Sequence, residues 1–416
     1  MAVATTQLQR PSRDAASSAR RALGRVALAA VLANSTWFSA TAIVPALQHD
    51  WGLTAAGAAW LVVAVQAGFI AGSIVAALLN LPDRLELRRL IAGAAIAAAA
   101  ANVALVPAGG LAAAIPARFF VGVALAGVYA PGVRLVATHY VRGRGVATGV
   151  VVGALTLGSA TPHLVRGLGD IPWQAVIVTT SVLAVLAAVV IRPVMAGPAA
   201  PATAPLDLGA AARALRDRPV RLTTLGYLGH MWELYAFWAW VPAFFIASRQ
   251  SLLDNDPARL ETGVVVFAVI GIAGLAGSVL AGRLADRIGR TTTTSAAMLV
   301  SAACCMGSPV AYGAATAALV AVLLIWGASV IADSAQFSAA VTELAEPAYA
   351  GSALTLQLAL GFALTIASIR LVPVFAGAVG WRFALLPLAA GPLAGAVAML
   401  RLRRLPAARR LAHGRR

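Results

Sequence analysis

Leu222–Ile246 reads L-T-T-L-G-Y-L-G-H-M-W-E-L-Y-A-F-W-A-W-V-P-A-F-F-I. At about 1.5 Å of rise per residue it is long enough to cross a bilayer core of about 30 Å. Near its centre, however, stand a histidine and a carboxylic acid, His230 and Glu233. A charge at that depth costs about 3 kcal/mol even on the lenient insertion scale. Tyr227, His230, Glu233 and Phe237 recur at three- and four-residue spacing, which puts them along one helical face. Such a stripe should look at other helices or a water-filled cavity rather than at lipid. A hydrogen-bond clamp that only fixes helix packing is the alternative. An ionisable group is a costly way to obtain a clamp, so a working role is favoured.

The rest of the chain agrees with a membrane setting. Of its 416 residues 60% are hydrophobic and 11% charged, and the mean hydropathy is +0.85. A soluble domain of this size would present far more polar surface, so the composition predicts an all-α polytopic membrane protein. The net charge of +17 comes from 32 arginines and no lysine. They are scattered over helix ends rather than pooled on one domain, which argues for topology-setting and contact with anionic lipid headgroups, and against nucleic acid. The two cysteines, Cys304 and Cys305, are adjacent in an apolar run and cannot frame a disulfide scaffold.

Twelve apolar runs are predicted as spans: 26–48, 55–80, 89–107, 112–137, 145–164, 173–192, 221–246, 262–282, 293–314, 316–339, 350–374 and 381–401. An N-terminal tail (1–25) precedes them, and a basic C-terminal tail (402–416) follows. A Pro- and Ala-rich linker (193–220) separates two six-span units, 26–192 and 221–401. Both tails, the linker, and the second, fourth and eighth connections carry most of the arginines, which predicts that this side and both termini are cytoplasmic in a bacterial inner membrane. The units also echo each other. Asp83-Arg84 follows span two and Asp286-Arg287 follows span eight. Gly145–Gly158 opens span five and Gly351–Phe362 opens span eleven, each with an Ala-Leu-Thr-Leu run. Trp173 and Trp381 start spans six and twelve. Paired features of this kind are what a duplicated six-helix unit leaves.

The sharpest motif is Gly282-Arg-Leu-Ala-Asp286-Arg287-Ile-Gly289-Arg290. A helix ends there at a glycine-bearing turn, leaving a carboxylate beside arginines at the membrane face. Such a carboxylate can meet the positive end of a neighbouring helix, and the two-fold arrangement nominates the start of span five, near Arg142 to Gly145. A plain Asp–Arg surface pair worth under about 1 kcal/mol is the bland alternative. This run resembles the cytoplasmic signature of the major facilitator superfamily, G-x-L-A-D-R-x-G-R-R, departing from it only at Thr291. The first-half copy around Asp83, Arg84, Arg88 and Arg89 keeps the acid and the bases but lacks both glycines. The resemblance implies a two-bundle fold of twelve helices whose first, fourth, seventh and tenth spans line a central cavity. Gly282, Asp286, Arg287, Gly289, Arg290, Asp83 and Arg84 would then form the gating motif.

The deep charges fall on those spans: Glu233 in seven, Asp333 in ten, Arg118 and Arg134 in four. Arg118-Phe-Phe-Val-Gly122 resembles the superfamily's R-x-x-x-G motif, associated there with proton coupling. A substrate and proton pathway of Glu233, His230, Tyr227, Asp333, Arg118, Arg134, Asn34 and Gln336 is therefore expected, with the ionisable groups wetted by an aqueous vestibule. Alternatives remain open for three of them: Asp333 and Arg134 as a permanent structural pair, and Arg118 as a snorkelling residue. Trp240 suits the membrane interface. No phosphate-binding glycine loop, zinc spacing or nucleophile elbow is present, so no enzyme, cofactor or metal is expected.

These features describe a proton-coupled secondary transporter of a small solute, expected as a monomer among membrane lipids. Arg118 and Arg134 point to a small anion. The runs at 127–134 and 331–338 resemble a bacterial branch loosely grouped with nitrate/nitrite and cyanate carriers, but the arginines that clamp nitrate in spans two and eight are missing. A drug or metabolite efflux antiporter is the alternative within the superfamily, and a non-transporting receptor or scaffold the alternative outside it.

Overall fold

A computed structural model describes residues 13–140, 144–169, 171–198, 207–253, 259–346 and 349–415. Arg142, part of the nominated partner of Asp286, lies outside them, as do most of the N-terminal tail and the centre of the linker. The described residues form twelve long helical segments: α1 (Arg13–Asn34), α2 (Ala55–Leu78), α3 (Leu87–Val103), α4 (Leu111–Ala137), α5 (Arg144–Gly167), α6 (Trp173–Ile191), α7 (Arg218–Leu253), α8 (Arg259–Ile288), α9 (Arg290–Ala311), α10 (Thr316–Leu344), α11 (Ala350–Val379) and α12 (Trp381–Arg403). Nine are long and apolar enough on their own to cross a membrane. The other three are α1, which begins in the arginine-rich tail, the 17-residue α3, and α7 with its polar stripe.

The packing repeats with a shift of six. In the first half α2 and α3 pack on α4, α3 on α6, and α1 on α5 and α6. In the second half α8 and α9 pack on α10, α9 on α12, and α7 on α11 and α12. Two seams join the halves, α5 against α8 and α2 against α11. Each seam maps onto the other under the same shift, which is the signature of two pseudo-symmetric six-helix bundles. Within a bundle backbones touch: a Cβ at Gly68 would fall 1.9 Å from the Phe119 carbonyl oxygen, and one at Gly122 would fall 2.0 Å from that of Val65. Only glycine permits that approach.

The first span departs from its predicted form. It is helical from Arg13, inside the expected tail, and breaks at Asn34 instead of running to residue 48. The run Asn34-Ser35-Thr36 explains the break, because short polar side chains compete with the helix for backbone partners. Ser35 Oγ donates to the Leu32 carbonyl at 2.7 Å, Thr36 Oγ1 to that of Ala33 at 2.9 Å, and Ser39 Oγ to that of Thr36 at 3.0 Å. Pro45 then opens a short helix, Val44–Trp51, which ends at left-handed Gly52. The linker is not wholly irregular either, since Leu208–Arg216 is helical and packs on α11. Pro131, Pro242 and Pro309 sit inside continuous helices. α8 contains a π turn at Phe267–Ile272, and α10 turns at Asp333 between Thr316–Ala332 and Ser334–Leu344.

Candidate functional site

A cavity of about 890 Å³ opens between the halves on one face of the molecule. Its wall comes from the stretch after the α1 break (Thr41 to Asp50), from α2 (Ala58, Val62), α5 (His163, Arg166), α7 (Ala239 to Gln250), α8 (Arg259, Thr262) and Trp381. Among the described residues the charged and titratable lining is mostly basic: His49, His163, Arg166 and Arg259 against the single acid Asp50. His163 Nε2 is buried and has no hydrogen-bond partner among the described residues. Asp50 accepts hydrogen bonds from Trp173 Nε1 and His49 Nδ1, each at 2.9 Å, and the bond from His49, then that from Trp173, holds its pKa below the ordinary carboxylate value. Beneath the cavity lies a layer of rings. Trp37 and Phe69 of the first half meet Tyr235 and Phe362 of the second, with centroids 4.5 to 6.0 Å apart for Trp37–Phe69, Trp37–Tyr235, Trp37–Phe362, Phe69–Phe362 and Tyr235–Phe362. Phe38 stands against Trp238 at 6.1 Å.

The opposite face carries the start of α1 and the C-terminal tail, and is termed here the terminal face. There the halves are in contact. A Cβ on Gly145 would lie 3.2 Å from Asp286 Oδ1, and one on Gly282 would lie 3.0 Å from the Gly145 carbonyl oxygen. Further along the seam a Cβ on Gly149 would lie 2.9 Å from the Ser278 carbonyl oxygen. The Asp286 carboxylate thus faces the beginning of α5. Gly289, at φ +96°, ends α8 in a conformation that suits glycine. Arg287 is exposed. Arg290 reaches across to α10, donating to both Glu343 oxygens at 2.9 and 2.6 Å and to Gln336 Oε1 at 2.7 Å. The tail Pro406–Gly414 docks on the same cluster: the Ala412 amide donates to Glu343 Oε2 at 3.0 Å, and Arg415 donates to the Asp286 carbonyl. In the degenerate copy Asn80 adopts left-handed φ +50° in the turn after α2, Asp83 pairs with Arg134, and Arg84 is exposed.

The expected pathway residues do not line the cavity, and all but the half-buried Arg134 are buried. Glu233 is 1% exposed and sealed within the second half. Ser301 Oγ of α9 stands 2.9 and 2.8 Å from its two oxygens, and Trp326 Nε1 of α10 donates to Oε1 at 2.6 Å. His230 Nδ1 stands 2.7 Å from Asp333 Oδ1, out of line for a hydrogen bond, so the contact is electrostatic. Tyr227 packs on Phe337 and along Gly361 of α11. The aqueous vestibule expected around these groups is absent in this conformation. The physical reason is depth along α7. The residues of this helix that face the cavity begin at Ala239, about 9 Å farther along the helix than Glu233.

Arg118 also departs from expectation. It neither snorkels nor lines the cavity, but turns into the first half. Nη1 donates to Ser39 Oγ at 3.1 Å and Asn102 Oδ1 at 2.9 Å, and Nη2 donates to the carbonyls of Thr36, at 3.0 Å, and Trp37. Those carbonyls are the ones freed by the break in α1. Arg134 and Asp333 do not pair, since Arg134 meets Asp83 and Asp333 meets His230. Asn34 Nδ2 donates to the Ala30 carbonyl at 2.8 Å, and Gln336 receives Arg290. Trp240, expected at the membrane interface, is buried, lines the cavity and donates to the Ile369 carbonyl at 2.9 Å. Neither α4 nor α10 contributes a lining residue; α2, α5 and α8 do.

A profile of the Major Facilitator Superfamily matches residues 26–369. The chain belongs to this superfamily. As a Major Facilitator Superfamily protein it is a multi-pass membrane transporter. Among solved structures it is similar to the human organic anion transporter MFSD10 (TETRAN), with a TM-score of 0.67 and 15% identity over 94% of this chain and 100% of that one. At that identity the likeness concerns the fold. No curated protein matches the sequence.

The cavity residues that the sequence left unassigned are His49, Asp50, His163, Arg166, Gln250 and Arg259. His163 follows Thr161-Pro162 in span five, an ionisable group inside an apolar run and so a readable signal. Arg166 and Arg259 fell outside the predicted spans and passed as loop residues. Arg249, fully buried at the end of α7, binds Thr316 Oγ1 and the Ala314 carbonyl, both at 2.6 Å, and ties α7 to the turn before α10.

Proposed function

We propose that this protein is a secondary active transporter of small organic anions that works by alternating access, captured here open on the face opposite the termini. The observation that carries the reading is the cavity between the halves, roomy enough for a metabolite and lined, among the described residues, by two arginines and two histidines against one carboxylate. Arginines on a concave wall favour negative charge and offer it charge-assisted hydrogen bonds. The similarity to the human organic anion transporter is in keeping with this. On the arginine distribution the terminal face is cytoplasmic, so the cavity opens outward.

In this reading the units 26–192 and 221–401 rock about the α5–α8 and α2–α11 seams. The Asp286 carboxylate at the head of α5 holds the cytoplasmic face shut, and the ring layer around Trp37 forms the floor that must part. Protons are the coupling ion. Glu233 and the His230–Asp333 pair lie below that floor and exchange protons when the cytoplasmic face opens and wets them. Purified protein in proteoliposomes, screened with labelled organic anions, amino acids and cationic drugs with and without an imposed proton gradient, tests the reading. Saturable, gradient-stimulated uptake of an organic anion is expected. Uptake confined to cations, or none for any anion, removes it.

A further inference from the structure

Arg370 is a lone charge on a surface that otherwise meets lipid. On α11 the residues Leu360, Ala363, Ala367, Arg370 and Val374 are exposed and recur at three- and four-residue spacing. The stripe is apolar except at Arg370, and none of it lines the cavity. An arginine keeps its proton in any protein environment, so burial in hydrocarbon must be relieved by an anion or by reaching the headgroups. Among the described residues no carboxylate pairs with it. Its contact is the ring of Trp60 on α2, with the guanidinium carbon 4.4 Å from the centroid. Trp60 is itself exposed. The contact therefore joins the two halves on the outside of the α2–α11 seam.

Depth places this pair at a headgroup layer. The 30 residues of α11 span about 45 Å, against about 30 Å of hydrocarbon, so each end overhangs by about 7 Å. Arg370 lies nine residues before Val379, about 13 Å from that end and about 6 Å below the boundary, within range of a snorkelling side chain. Trp60 lies one to two turns inside the start of α2, where aromatic belts sit. We infer that Arg370, seated on Trp60, binds the phosphate of a phospholipid in the leaflet opposite the termini. The guanidinium fork takes phosphate oxygens in a bidentate fashion. The acyl chains run toward the membrane centre along Ala367, Ala363 and Leu360. Because the pocket has one wall from each half, the lipid stabilises the α2–α11 approach seen here.

The test uses the purified full-length protein, dioleoylphosphatidylglycerol and inorganic phosphate. Native mass spectrometry counts retained lipid, and thermal unfolding reads stabilisation; neither depends on the transported substrate. Wild type is expected to retain more lipid than Arg370→Leu, and the lipid-induced rise in melting temperature is expected to fall to roughly half in that variant. Arg370→Lys restores part of it. Inorganic phosphate alone produces no rise. Equal lipid retention and equal thermal response in wild type and Arg370→Leu overturn the inference, and so does a full response to inorganic phosphate. Should Arg370→Leu not fold, Arg370→Gln and Trp60→Leu carry the same comparison.

Discussion

Replacing Gly149 by valine presses on the seam that holds the terminal face shut. The first added carbon falls 2.9 Å from the Ser278 carbonyl oxygen and 3.4 Å from its carbon, about 0.5 Å inside ordinary contact with the oxygen. Both atoms are backbone, so neither can swing away, and the two branches of valine add further volume. Overpacking of this kind costs about 1–3 kcal/mol. If the contact exists only while the terminal face is closed, that cost falls on one state. The ratio of states then moves by roughly 5- to 150-fold toward the arrangement open on the terminal side. Spin labels report it: cysteines at Arg89 on α3 and Arg401 on α12, both exposed and off the seam, in a chain lacking Cys304 and Cys305. Their distance distribution is expected to gain a longer component in Gly149→Val. A folded variant whose distribution matches that of the parent would refute the idea that the seam is a gate.

Other perturbations test separate parts. Arg118→Leu strips donors from the carbonyls of Thr36 and Trp37, and at about 1–3 kcal/mol per buried orphan it should lower the melting temperature markedly; an unchanged melting temperature would show that the α1 break does not depend on this clamp. Glu233→Gln keeps the shape of the side chain but cannot release a proton, so gradient-driven uptake should vanish while exchange persists. Full gradient-driven uptake removes Glu233 from coupling. Arg166→Gln and Arg259→Gln should each weaken anion binding by roughly 10- to 150-fold, in line with a lost charge-assisted hydrogen bond of about 1.5–3 kcal/mol, as measured by the concentration for half-maximal uptake. Asp50, held below its usual pKa of 3.8, anchors Trp173 as a carboxylate. That contribution is present above the unfolded pKa and lost as pH falls through the folded one. Wild type should therefore melt above Asp50→Asn at pH 7, and the gap should close in acid; a gap that persists at low pH contradicts the assignment.

The contrast between the two ends of α7 shows what a sequence can and cannot carry. Apolar length and the repeated Asp-Arg turns lead directly to twelve helices in two related bundles, because a bilayer permits few alternatives. The meeting of Asp286 with the head of α5 was also open to reasoning, since a helix-end carboxylate and a symmetry-related helix start leave little choice. The polar stripe on α7 was legible as buried and polar, but not as to its direction. A helix in the middle of a bundle is covered on all sides, and a face that meets Ser301 and Trp326 has the same composition as one that meets water. Arg118 illustrates the same limit from another side. Its partners are carbonyls exposed by a helix break at Asn34-Ser35-Thr36, and neither the break nor the approach of α4 follows from the spacing of Arg118 and Gly122. Arg166 and Arg259 look like loop residues until the cavity is seen to reach them.

The account stands on a cavity that opens to each side in turn. Ala239, on the cavity wall, replaced by cysteine in the chain lacking Cys304 and Cys305, gives the most direct reading with a membrane-impermeant thiol reagent applied to oriented vesicles. Labelling is expected from the side opposite the termini in the parent chain, and from the terminal side once Gly149→Val is added. Reaction from one side only, regardless of Gly149→Val, or from both sides at once in the parent, would contradict alternating access through this cavity.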